Sequence, residues 1–242
     1  MFENIDTKGL VSSSQQGIHP RLEQALQRHL ARSWSQPFHE PSVTAYRRLR
    51  NECDFSGNRP FLLDSGCGTG RSTRCLADLY PDQLVIGVDQ SEARLAKSGV
   101  RHGIVLDQNW ILLRAELATF WRLLLRDGLI PSSHLLLYPN PWPKAGHMKR
   151  RWHGHPVFPV LLSLGGEIEM RCNWQIYAQE FAFAVSLATG MNIEVESFQR
   201  EEKTAKAISP FEQKYLARGQ DLYSVKVPAT VSGEFRKNWL GS

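Results

Sequence analysis

No apolar run in these 242 residues approaches the roughly 20 needed to span a bilayer. The opening residues, Met1-Phe2-Glu3-Asn4-Ile5-Asp6, lack the basic and apolar stretches of a secretion signal. Cysteine is scarce: Cys53, Cys67, Cys75 and Cys172, with no C-x-x-C pair among them. This excludes a disulfide framework and the usual zinc-binding cysteine pairs, and a cytoplasmic protein in a reducing compartment is expected. Internal repeats and low-complexity tracts are also missing. A large excess of one charge is lacking too. The net charge is +5 and the isoelectric point near 9.1, so the placement of the basic residues matters more than their surplus. The length suits one α/β domain with one sizeable core. Residues 1–20 are polar around Ser12-Ser13-Ser14-Gln15-Gln16-Gly17 and are expected to form a flexible arm, leaving 21–242 as a single domain.

What is present centres on Phe61-Leu62-Leu63-Asp64-Ser65-Gly66-Cys67-Gly68-Thr69-Gly70. An apolar strand runs into an acid and a G-x-G-x-G turn, then Cys75, Leu76 and Leu79 recur at helical spacing. A second apolar strand, Leu84 to Val88, ends in Asp89, where an acid can bond ribose hydroxyls. Position 71 is Arg, so the third glycine of a dinucleotide loop is absent. Asp64 is expected to face the ligand, and a carboxylate there suits an ammonium group and repels a pyrophosphate. The loop resembles the first motif of class I methyltransferases. That resemblance implies S-adenosylmethionine as cofactor, held by Asp64, Gly66, Gly68, Gly70 and Asp89. In such enzymes an acid after the next strand, here Glu116 after Trp110 to Ala115, often meets the adenine. A helix-start Glu also complements the helix dipole without any ligand, and both readings stand.

Elsewhere, apolar spacing predicts a helix from Pro20 and another near Val43 to Cys53, whose Arg47, Arg48 and Arg50 read as a solvated face. His134 to Tyr138 reads as a buried strand, entering Pro139-Asn140-Pro141-Trp142-Pro143-Lys144. Alternate prolines stiffen this loop, because each fixes its own φ and restricts the residue before it. It falls at a strand end, where open α/β sheets bind substrates, and it presents Asn140 with little freedom. Lys144, Lys149, Arg150 and Arg151 follow, interleaved with Trp142 and Trp152, a pattern suited to phosphates and unpaired bases. His147, His153 and His155 lack cysteine or carboxylate partners at ligand spacing, so no metal is expected. Glu167 to Cys172 reads as a strand, and Asn173 as the cap of a helix carrying Trp174, Tyr177, Ala178, Phe181, Ala182 and Val185. Ile193 to Glu196 and Leu222 to Val227 read as strands, and the tail from Pro228 offers little pattern.

These residues resemble the bacterial tRNA (guanine-N7)-methyltransferase family over about residues 15 to 227. The most specific matches are the Pro139-to-Lys144 loop with its basic follow-on, and Asn173-Trp174 with Tyr177-Ala178. Ser209-Pro210-Phe211-Glu212 with Gly219, and Gln15-Gln16, also match. The resemblance implies a Rossmann-like class I methyltransferase fold: a mostly parallel seven-stranded sheet with helices on both faces. It implies methylation of N7 of a guanosine in the tRNA variable loop, with Asn140 at the catalytic position. Lys144, Asn173, Ser209 and Glu212 fall at guanosine-binding positions. The chain departs from the family in having Asn140 and Asn173 where the family has Asp, and Ser209-Pro210 where it has Thr-Lys. A carboxylate can accept from both N1-H and the amino group of guanine, whereas a carboxamide offers one acceptor. A paralogue acting on a different small-molecule or nucleobase substrate, and a cofactor-binding relative without turnover, are the alternative readings.

Overall fold

The runs of apolar residues that end in Asp64-Ser65 and Asp89 are buried, as strands covered on both faces must be. The computed structural model describes residues 11–32, 34–53, 59–100, 103–198 and 207–241. The strands are β1 (Phe61–Ser65), β2 (Leu84–Asp89), β3 (Ile104–Leu106), β4 (Trp110–Arg114), β5 (Ser133–Leu137), β6 (Glu167–Cys172), β7 (Glu196–Phe198) and β8 (Leu222–Val227). They make one sheet in the order β3-β4-β2-β1-β5-β6-β8-β7. The pairs β1–β2, β1–β5, β2–β4 and β5–β6 are parallel. The pairs β3–β4, β6–β8 and β7–β8 are antiparallel. The mostly parallel Rossmann-like sheet is therefore as expected, with eight strands among the described residues and not seven. The addition is β3, whose three residues are too few for an alternating pattern to be read. The strand expected at Ile193 to Glu196 lies later, as β7.

The helices are α1 (Leu22–Leu30), α2 (Glu40–Glu52), α3 (Arg71–Leu79), α4 (Glu92–Ala96), α5 (Leu117–Arg126), α6 (Phe158–Ser163), α7 (Gln175–Thr189), α8 (Pro210–Leu216) and α9 (Ala229–Leu240). Alternation along the strands divides the core between the two sheet faces. Phe61, Leu63, Ile86 and Val88 pack with α2, α5, α6, α7 and α9. Leu62, Val85, Leu135 and Leu137 pack against Leu76 and Ala77 of α3. Gly87 of β2 has no room for a Cβ because Thr73 of α3 lies against it. Among the described residues no helix is long and apolar enough to cross a membrane.

Both edges of the chain are packed against the sheet domain. The tail is not patternless: α9 buries Val231, Ser232 and Phe235. Arg236 Nη1 donates to the Ser163 carbonyl at 2.7 Å, tying α9 to α6. Residues 11–19 are docked and not splayed. Ser13 Oγ donates to the Pro143 carbonyl at 2.6 Å, and the His19 amide donates to Glu180 Oε1 at 2.9 Å. Residues 1–10 of the expected arm lie outside the described residues.

Candidate active site

From β1 the chain builds the sheet outward through β2 and β4, and from β5 it builds the other way. The carboxyl ends of β1 and β5 therefore border the switch point where open α/β sheets hold ligands. Gly66, Gly68 and Gly70 leave β1 with φ of 81°, 61° and 70°, the left-handed region in which L side chains are strained. A Cβ on Gly70 would strike Leu112, whereas Gly66 faces open space. The loop is closed on its packing side and bare on its outer side.

Asp64 does not face outward over this loop, contrary to the sequence expectation. Alternation along β1 turns it to the α3 face, where its Oδ2 accepts from Ser72 Oγ (2.6 Å) and Thr73 Oγ1 (2.7 Å). Burial pushes its carboxyl up to about 6; the two hydroxyl bonds pull it down and the Asp89 charge adds to the rise. Asp89 is buried at the end of β2 and accepts from the Gly68 amide at 2.9 Å and the Ser91 amide at 2.7 Å. It thus stitches the glycine loop to the next strand. Arg94 Nη1 approaches it from solvent, at 3.5 Å.

Beyond β2 and β4 opens a cavity of about 1090 Å³, lined among others by Ser42, Gln90, Leu95, Ile104, Ala115 and Glu116. Glu116 stands at the N-terminal end of α5 and accepts from Thr119 Oγ1 at 2.5 Å, while its amide donates to Ser42 Oγ at 2.8 Å. Glu116 thus both begins α5 and lines the cavity. The first turn of α2, with Ser42, walls this cavity, which the sequence does not signal because Ser42 meets Glu116 from 74 positions away. A bare glycine backbone, two buried acids and a half-apolar cavity suit a cationic ligand with a ribose and a base and no phosphate.

At the other side of the switch point, β5 runs into the proline loop. Asn140 is exposed, and its Oδ1 accepts from the Trp142 amide at 3.4 Å. Tyr138 and Trp142 on either side have φ of 53° and 46°. Ser209 caps α8 by accepting from the Glu212 amide. Glu212 is buried between Tyr138, whose hydroxyl donates to it at 3.3 Å, and Arg171 Nη1 at 3.2 Å. Asn173 does not cap α7, whose cap position is Trp174. Its Nδ2 donates instead to Gln220 Oε1 at 3.1 Å. Glu212 and Ser209 are thus joined to the base of the loop through Tyr138. Arg171 and Gln220, unmarked in sequence, hold two of the expected substrate residues.

The basic run divides. Lys144, Lys149 and Arg150 are exposed, with Arg150 lying 4.7 Å over the Trp142 ring. Arg151 is fully buried and paired with Glu180 at 2.5 Å, so it cannot present its guanidinium to a phosphate. The three histidines diverge: His153 turns inward to Glu180, His147 packs edge-on to Trp142, and His155 lies against Trp34 and Trp152.

Sequence comparison bears on this geometry. The model of a family described as "Putative methyltransferase" matches residues 58–225, from just before β1 into β8. The chain belongs to this methyltransferase family. Curated relatives include a tRNA (guanine-N(7)-)-methyltransferase of Neisseria meningitidis serogroup C (strain 053442). It is 27% identical over 184 residues, 71% of each chain. Another relative of that name, from Alkaliphilus oremlandii (strain OhILAs), is 28% identical over 70% of this chain and 81% of its own. A solved structure described as an antibiotic related methyltransferase aligns with a TM-score of 0.51 and 16% identity. It covers 81% of this chain and 96% of that one, and shows the fold alone. The methyltransferase is S-adenosylmethionine-dependent, as its glycine loop implied. When bound, the cofactor supplies a methyl group activated by a sulfonium. The residues that would hold it are the glycine loop, Asp89 and the cavity wall at Glu116, with Asp64 beneath.

Proposed function

We propose that this methyltransferase transfers a methyl group to N7 of a guanosine in tRNA, as the names of its relatives state for them. The observation that carries this reading is the placement of Asn140 at the switch point. It is exposed on a proline-stiffened loop that leads directly to exposed Lys144, Lys149 and Arg150. Those cations suit a polyanion, and Trp142 offers an aromatic face beside them. N7 of guanine carries an in-plane lone pair and no proton, so no general base is needed. With the cofactor bound, this lone pair would take the methyl group that the sulfonium supplies, the carbon–sulfur electrons staying with sulfur. The protein's task is to hold N7 in line, and such positioning can supply about 7–11 kcal/mol. Asn140 can orient the base without taking a proton, which makes an amide tolerable where relatives of the resembling family carry an acid.

A second reading is favoured by one observation. Glu212 is engaged by Arg171 and Tyr138, and positions 140 and 173 are amides, so the expected guanine-facing acids are missing or occupied. Such a lining suits a ring edge that offers both an acceptor and a donor. The test is tritium-methyl transfer by wild type and Asn140→Asp/Asn173→Asp, on total tRNA and on a small-molecule extract. Retained or raised N7-methylation of tRNA in the variant supports guanine. Methylation of the extract with every tRNA untouched would replace the first reading by the second.

A further inference from the structure

The proline loop has a support that its own sequence does not contain. Left-handed backbones at residues as bulky as Tyr138 and Trp142 are strained, and they persist only where the surroundings enforce them. The enforcing group at Trp142 is Arg151. Its Nε and Nη2 both donate to the Trp142 carbonyl, at 3.2 and 3.1 Å. The guanidinium is fully buried and lies 4.8 Å over the Trp174 ring. Its Nη1 meets Glu180 Oε2 at 2.5 Å, and Nη2 also donates to Gln15 Oε1 at 3.0 Å. Gln15 Nε2 in turn donates to Glu180 Oε1 at 2.6 Å, closing a ring of three side chains. His153 Nε2 lies 2.8 Å from Glu180 Oε2. Burial works against the Glu180 charge, but the hydrogen bond from His153 and the Arg151 guanidinium outweigh it and hold its carboxyl below the usual carboxylate range. Burial holds His153 below its usual value, so Arg151 is the lasting cation of the cluster.

A buried ion pair adds little net stability over apolar residues of similar volume, so its presence calls for a role in specifying shape. One arm of the guanidinium grips the loop, and the others are tied to α7 and to residues 11–19. We propose that Arg151, held by Glu180 and Gln15, is a positioning residue. It fixes the bent form of the loop that presents Asn140, and residues 13–19 are a working part of the active site. This rests on the proposed role of Asn140. Arg151 touches no substrate and acts through the Trp142 carbonyl.

The test uses the full chain. Methyl transfer to total tRNA, cofactor affinity by calorimetry and hydrogen exchange over residues 138–148 are measured for Arg151→Lys, Gln15→Ala and Asn140→Ala. Arg151→Lys and Asn140→Ala are also combined. A lysine keeps a charge for Glu180 but cannot grip the carbonyl with two nitrogens. The expected result is a fall in kcat of at least tenfold in Arg151→Lys and severalfold in Gln15→Ala. KM for tRNA and cofactor affinity should stay within about twofold, and loop exchange should be at least tenfold faster in Arg151→Lys. Added to Asn140→Ala, Arg151→Lys should cost no further activity, because it acts through that residue. Unchanged loop exchange, or full multiplication of the two defects, overturns the inference. Full activity in Asn140→Ala overturns the loop reading and the inference together. An impaired Asn140→Ala beside an unimpaired Arg151→Lys overturns the inference alone. Should Arg151→Lys not fold, Gln15→Ala in the same cycle and exchange measurement decides.

Discussion

Asp64 and Asp89 end adjacent strands, yet the structure gives them different work. Asp89 bonds two loop amides and keeps lone pairs for a ligand, so its loss reaches both loop and ligand. Asp89→Ala should weaken S-adenosylmethionine binding by at least about 1–3 kcal/mol, the scale of charged hydrogen bonds, measured by calorimetry. Asp64 lies below, without a bonded cation and raised to about 6 by burial. Above that pH it is ionised and attracts a cationic cofactor; below it the proton removes the attraction. Affinity is therefore predicted to fall severalfold between roughly pH 7.5 and 5.5, and Asp64→Asn should be weaker at the higher pH and lose most of that dependence. Affinity rising on acidification in wild type would refute this role. Both acids were legible in the sequence because each closes an apolar run. The direction of Asp64 was not, since it depends on Ser72 and Thr73 arriving from α3 against a glycine.

Among the elements, those with long uninterrupted signals were readable. β1, β2, β4 and β5 were visible as apolar runs, and α7 as an apolar stripe. α9 was not, because Thr230, Val231, Ser232 and Gly233 are all poor helix formers in its first half. That helix exists because β6 and α6 need a cover, and burial of Val231 and Phe235 overrides propensity. Gly233 has an ordinary helical backbone and open space where a Cβ would lie. Gly233→Ala should therefore stabilise the fold by about 0.5–1 kcal/mol, read as a rise of a few degrees in Tm. An unchanged or lower Tm would mean that α9 is held by something its own backbone does not limit. Asn173 shows the opposite failure: a good capping residue stood one position too early, and Gln220, far along the chain, claimed its amide.

For the molecule as a whole, charge placement decides what can be recognised. The run Lys149-Arg150-Arg151 looked uniform in sequence because burial of Arg151 depends on Glu180 and Gln15, neither of them nearby. Only the exposed members should contribute to binding RNA. Replacing Lys144, Lys149 and Arg150 together by Ala is predicted to lower the slope of log affinity against log salt by about 2–3, measured by fluorescence anisotropy with tRNA. A slope equal to wild type would show this surface to be merely solvated. The docking of residues 13–19 bears on the order in which the molecule forms. Gln15 lies 165 positions before Glu180, so their bond is among the most non-local in the chain. Contacts of that span form late, after the entropy of closing a long loop has been met by other packing. On a ribosome, Gln15 emerges early and waits for α7. The bent loop is thus expected to be set late in folding, and a chain stopped short of α7 would carry a complete glycine turn and no seat for its own beginning.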